Sequence, residues 1–108
     1  MTITIKERDI DVVFKFRTEL LYEDAMEKSF TGNTIREWVT YFYCTIVANT
    51  EDGFIKWDEF MDWLDENTDT FYEFISWYNN VQTSIMSLRQ KKMADEASKK
   101  AKPKKAKK

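Results

Sequence analysis

The chain has 108 residues, 43% hydrophobic, 16% aromatic and 33% charged, with two Gly, one Pro, one Cys and no His. That length fits one domain with its own core, not two. Without His there is no imidazole base, no histidine-assisted nucleophile and no histidine-ligated zinc. Cys44 alone forms neither an internal disulfide nor a multi-cysteine metal site, and Gly32 and Gly53 are too far apart for a phosphate-cradling loop. The net charge of −2 conceals a split: Lys91–Lys108 hold nine Lys against Asp95 and Glu96, a net of +7, which leaves −9 on residues 1–90. Such asymmetry concerns partners rather than fold.

The first 16 residues alternate as strands do. Ile3 and Ile5 share a face, and Ile10, Val12, Phe14 and Phe16 repeat every second residue, with Lys6-Glu7-Arg8-Asp9 as the polar turn between the runs. This predicts a β-hairpin whose apolar face needs helices to cover it, since a lone hairpin is marginal in water. From Thr18 the spacing of Leu21, Tyr22, Ala25 and Ser29 becomes helical, and the first helix is predicted to end near Phe30-Thr31-Gly32, with Gly32 as a left-handed stop.

Thr34-Ile35-Arg36-Glu37 reads as a capping box. Behind it Ile35, Trp38, Val39, Phe42 and Ile46 form one apolar stripe, while Tyr41, Cys44, Val47 and Ala48 occupy the opposite side. A helix apolar all round is buried on both sides, so this one is predicted to be central. Glu51-Asp52-Gly53 breaks it. Trp57, Phe60, Met61 and Leu64 then give a short amphipathic helix with Asp58, Glu59, Asp62 and Asp65 on its other face. Thr70-Phe71-Tyr72-Glu73 offers a second capping box for a last helix carrying Phe71, Phe74, Ile75, Tyr78, Val81, Gln82, Ile85 and Leu88 to about Lys92.

The fold class predicted is mainly α (α+β): an N-terminal β-hairpin packed on about four helices. Residues 1–90 form a single acidic domain, and residues 91–108 form a lysine-rich tail too poor in apolar residues to order itself. The opening Met1–Arg8 lacks the basic start and apolar run of a signal peptide, and the longest uncharged stretch is the 13 residues between Glu37 and Glu51. A spanning helix needs roughly 20, so a soluble cytoplasmic protein without membrane contact is expected.

Few groups point to chemistry. Asn49–Phe60 is similar to the second half of an EF-hand loop, with Gly53 at the turn, Ile55 at the bridge and Glu59 as the bidentate carboxylate. That register puts Ala48 at the first ligand position and Thr50 at the third, and a methyl group offers no oxygen to a hard cation. The structural reading is favoured: a turn, then Asp58 and Glu59 at the positive end of a helix. The acids of that helix suggest no pocket and read as a solvated face. Cys44, with no cationic neighbour in sequence, reads as a small core residue. No catalytic, metal or cofactor site is expected. Trp63 and Trp77 lie at stripe edges, where amphipathic rings anchor partners or complete a core. The lysine tail reads as a nucleic-acid arm, a solubilising tail, or a contact for the acidic body of another copy. The acidic domain places nucleic acid second.

Val13–Phe30, with its aromatic and basic strand end, acidic helix and Lys28-Ser29, resembles the opening of the small tail assembly chaperones of long-tailed bacteriophages. Thr34–Cys44 resembles their central apolar helix, and Phe54–Glu66, with Trp57-Asp58-Glu59-Phe60-Met61-Asp62-Trp63-Leu64, resembles the short acidic helix that follows. The likeness covers about residues 10–80 and departs at Glu27, where that family often has Gly before Lys-Ser. It implies a non-enzymatic protein of the host cytoplasm, absent from the mature virion. Such a protein coats the tape measure protein, keeps it soluble and helps recruit tail tube subunits. On this reading Trp63, Trp77, Val81 and Met86 form the partner-binding edge, for the tape measure protein or a second copy. The rivals are a small nucleic-acid-binding protein acting through the tail and a calcium-dependent regulator.

Overall fold

A computed structural model describes the backbone of residues 1–107 and the side chains of residues 1–92. It consists of a two-stranded antiparallel hairpin followed by four helices: β1 (Thr2–Ile5), β2 (Arg8–Asp11), α1 (Phe16–Met26), α2 (Ile35–Ala48), α3 (Trp57–Glu66) and α4 (Thr68–Lys107). The predicted lysine-rich tail falls, from residue 93 onward, outside the residues with described side chains. The chain forms two compact units, Met1–Trp77 and Tyr78–Lys108.

In the hairpin Ile3 pairs with Ile10 and Ile5 with Arg8. The turn is two residues rather than the four predicted. Lys6 and Glu7 both take positive φ, 53° and 61°, the requirement of the tight turn whose twist matches its strands. Cross-strand and tertiary bonds hold this geometry without the usual Asn-Gly. Thr4 donates to Asp9 at 2.7 Å, Lys6 Nζ donates to the Phe54 carbonyl at 2.8 Å and pairs with Glu59 at 3.0 Å, and Arg8 donates to both carboxylate oxygens of Glu51. Strand β2 also stops earlier than predicted. Phe16 opens α1 instead of continuing the alternation and is 75% exposed. Asn49 fixes this crossing, donating to the Val13 carbonyl at 3.1 Å and accepting from the Val13 N–H at 3.3 Å.

Helix α1 ends at Met26, short of the predicted Phe30–Gly32. Its stop is Glu27, in the left-handed conformation (φ 57°, ψ 30°) with its N–H on the Glu23 carbonyl. The helix gives way because Phe30 is drawn into a ring cluster, 4.3 Å from Tyr41, 4.9 Å from Trp38 and 5.3 Å from Tyr22 between centroids. Gly32 is left-handed too (φ 74°), but within the loop. There its carbonyl accepts from Trp38 Nε1 at 3.0 Å, and a Cβ would press on that indole at 3.2 Å.

Helix α2 is central, as predicted, over most of its circumference. Phe42 and Ile46 are wholly buried, and Val39, Tyr41, Cys44, Thr45 and Ala48 are buried around them. Phe42 stacks on Phe74 of α4 at 4.2 Å and meets Phe60 of α3 edge-on at 5.5 Å. Each such ring contributes about 1.5–3 kcal/mol relative to exposure. Ile35, placed by its spacing on the buried stripe, is instead 73% exposed in the first helical turn. Half of the predicted capping box forms: Thr34 accepts from the Glu37 N–H at 3.2 Å. The Glu37 carboxylate does not return to the Thr34 N–H. It accepts from the Thr31 hydroxyl at 2.6 Å and the Thr31 N–H at 2.9 Å, so it fastens the preceding loop. At α4 the predicted second box is displaced, because the helix starts at Thr68 and Thr70 lies inside its first turn.

Candidate functional site

Two sides of α2 differ. Beside the ring cluster the core is closed; on the arc of Arg36, Thr40, Tyr43 and Val47 it is open. There α1 contributes Leu21 and Ala25, α2 contributes Thr40, Tyr43, Cys44 and Val47, and α3 contributes Trp57, around a depression of about 260 Å³. A second depression of about 310 Å³ adjoins it, sharing Thr40 and Trp57 and extending to Ile35, Arg36, Val39 and Met61. Together they form an apolar groove across three helices, with Trp57 (41% exposed) standing between them.

Local structure explains why the groove stays open. Tyr43 donates its hydroxyl to the Ile55 carbonyl at 3.0 Å and meets Trp57 edge-on at 5.2 Å, so its polar atom is satisfied and its ring is left as wall. Burial pushes the Tyr43 phenol pKa up and takes the Cys44 thiol to about 11. Cys44 is thus a neutral apolar wall residue, not a nucleophile. Glu59 accepts from the Lys56 N–H at 3.0 Å, which caps α3 and fixes Trp57 one residue later. In the first turn of α2, Glu37 is 2% exposed. Bonds from the Thr31 hydroxyl and N–H, with Lys28 at 3.5 Å, hold its carboxyl down to about 2 despite burial. The Tyr22 hydroxyl is sealed nearby with no partner in hydrogen-bond geometry among the described residues; burial, then the Glu37 charge, raises it to about 12.

The residues proposed from sequence lie elsewhere. Trp63 is half-buried over Phe42 and Phe60 and donates Nε1 to the Thr4 carbonyl at 3.0 Å, which ties the hairpin to α3. Trp77 is half-buried, 5.6 Å from Phe74. Val81, half-buried, and Met86, 58% exposed, belong to the second unit. Of the groove residues, spacing places Trp57, Leu21 and Val47 on apolar stripes and does not single out Tyr43; the second apolar side of α2 was their signal, since three stripes on neighbouring helices cannot cover both its faces. In the loop similar to an EF-hand, Glu51 goes to Arg8 and Glu59 to Lys6 and the α3 start. Their carboxyls are lowered, Glu51 chiefly by the Arg8 bond and Glu59 chiefly by the Lys56 N–H. Among the described residues no three His, Cys, Asp or Glu gather to hold a metal ion, and no helix is long and apolar enough to cross a membrane.

Comparison with protein-family models, with curated proteins and with solved structures gave no match.

Proposed function

We propose that this protein is a non-catalytic assembly chaperone of a long-tailed bacteriophage, acting in the host cytoplasm and absent from the finished virion. It shelters apolar helical segments of the tape measure protein and helps recruit tail tube subunits. The observation that carries this reading is the apolar groove across α1, α2 and α3 on an acidic domain. A groove of this kind receives an amphipathic helix through side chains spaced three and four residues apart. Its lining offers few free polar groups to orient a small molecule. The sequence resemblance over residues 10–80 points the same way, and it names the client.

The test is co-expression of the full chain with a tape measure protein. The reading expects a larger soluble fraction of the client and its co-purification with this chain. An insoluble client that leaves no trace on the purified chain overturns it. Removal of residues 91–108 separates the nucleic-acid rival, since the chaperone effect then persists.

A further inference from the structure

We infer that the groove selects a partner helix by charge: its occupant is an amphipathic helix of another protein with an apolar stripe bordered by Lys or Arg on the side that faces α3. This deepens the functional reading and rests on it for the identity of the partner, but the geometry stands on its own residues.

The groove wall on α3 is Trp57 and Met61, one turn apart. Asp58 and Asp62 each follow a wall residue by one position, and Asp65 follows Met61 by one turn. At 3.6 residues per turn all three lie on the strip of α3 next to Trp57 and Met61, opposite the flank that buries Phe60 and Leu64. All three are exposed, and among the described residues none of them forms an ion pair. The neighbouring acids of the same unit are employed differently: Glu51 and Glu59 neutralise the hairpin cations, and Glu37 is buried with Lys28 beside it. The α1 border carries Arg17 and Asp24, Arg36 stands in the second depression, and Lys15 donates to the Ala48 carbonyl next to Val47. The free carboxylates around the groove are therefore concentrated on one side, along α3. An apolar helix bordered by acids meets repulsion there; one bordered by cations on that side is attracted and given a direction. The lysine tail of this chain is a poor occupant of an apolar groove, because after Met93 it offers only Ala and Pro103 as apolar side chains.

Two synthetic helical peptides with the same Leu stripe, one bordered by Lys and one by Glu, are titrated against the full chain by fluorescence anisotropy at low and high salt. The Lys-bordered peptide binds about tenfold tighter at low salt, and the gap closes at high salt, as expected of exposed charges. Combining Asp58→Asn, Asp62→Asn and Asp65→Asn removes the preference, while Trp57→Ala weakens both peptides. Equal affinities at low salt, a preference for the Glu-bordered peptide, or no binding of either overturns the inference. So does a dimer of the free chain that Trp57→Ala dissolves, because a second copy then fills the groove. Failure of the tape measure protein to co-purify, with the peptide preference intact, removes the functional reading alone. Co-purification that survives Trp57→Ala removes this inference and spares that reading.

Discussion

The two sides of α2 carry similar side chains and serve different ends. Phe42, Phe60 and Phe74 meet ring on ring with none of their surface in water. Tyr43, Val47 and Trp57 are equally greasy, yet they border two depressions and remain partly wet. Hydrophobicity alone therefore does not mark a core position. What decides is whether another element is present to cover it, and on the groove side three helices leave the centre of their junction uncovered. That uncovered apolar surface is what the proposed client helix would cover.

The comparison breaks most visibly under truncation. Phe42→Ala leaves a void among rings that cannot close it, and urea unfolding should show a loss of about 3–5 kcal/mol. Trp57→Ala, made on the open side, should cost about 1–2 kcal/mol in the same assay, because two-fifths of the residue is already in water; its effect appears in partner binding, as a loss of about tenfold or more. Comparable stability losses for the two would show that the groove is core after all.

A third prediction concerns acid. Glu37 titrates near 2 in the folded chain, below its ordinary value of 4.5, because Thr31 and Lys28 favour its charged form. A depressed carboxyl contributes stability that is present in full above the unfolded value and is lost as pH falls towards the folded one. Unfolding free energy should therefore decline from about pH 4.5 to about pH 2, and Glu37→Gln should lower stability at pH 7 and flatten that decline. An unchanged acid slope in the variant contradicts the assignment.

Smaller effects sharpen the picture of what anchors the groove walls. Trp63→Phe keeps the ring over Phe60 but removes the bond to the Thr4 carbonyl, at a cost of about 0.5–1.5 kcal/mol in thermal or chemical unfolding. Glu27→Gly relieves a left-handed residue at the end of α1 and should stabilise by about 0.5 kcal/mol, the net of less backbone strain and a looser unfolded chain. The sequence pattern puts the helix stop later, near Phe30-Thr31-Gly32.

Much of the fold was legible because it follows period. The alternation of Ile3, Ile5, Ile10 and Val12 and the helical spacing of Phe60 and Leu64 gave the elements and most of the core. Boundaries were harder wherever a tertiary bond overrode a local rule. Lys6-Glu7 turns without Gly because salt bridges hold it, α1 ends at Met26 because Phe30 is wanted elsewhere, and the Glu37 carboxylate turns to Thr31 rather than to the Thr34 N–H. The groove was illegible for a related reason. Trp57 and Val47 fit their stripes as well as any core residue, and only the packing of three helices shows that none of the described residues closes over them. Trp63, placed by its spacing at a stripe edge, also holds the hairpin through the Thr4 carbonyl.

The central claim is that the open side of α2 is where this protein meets its client, and hydroxyl-radical footprinting of the full chain with and without bound tape measure protein tests it most directly. Protection should concentrate on Trp57, Met61 and Leu21, with Trp63 unchanged. Protection at Trp77, Met86 and Leu88 with Trp57 still reactive would contradict it.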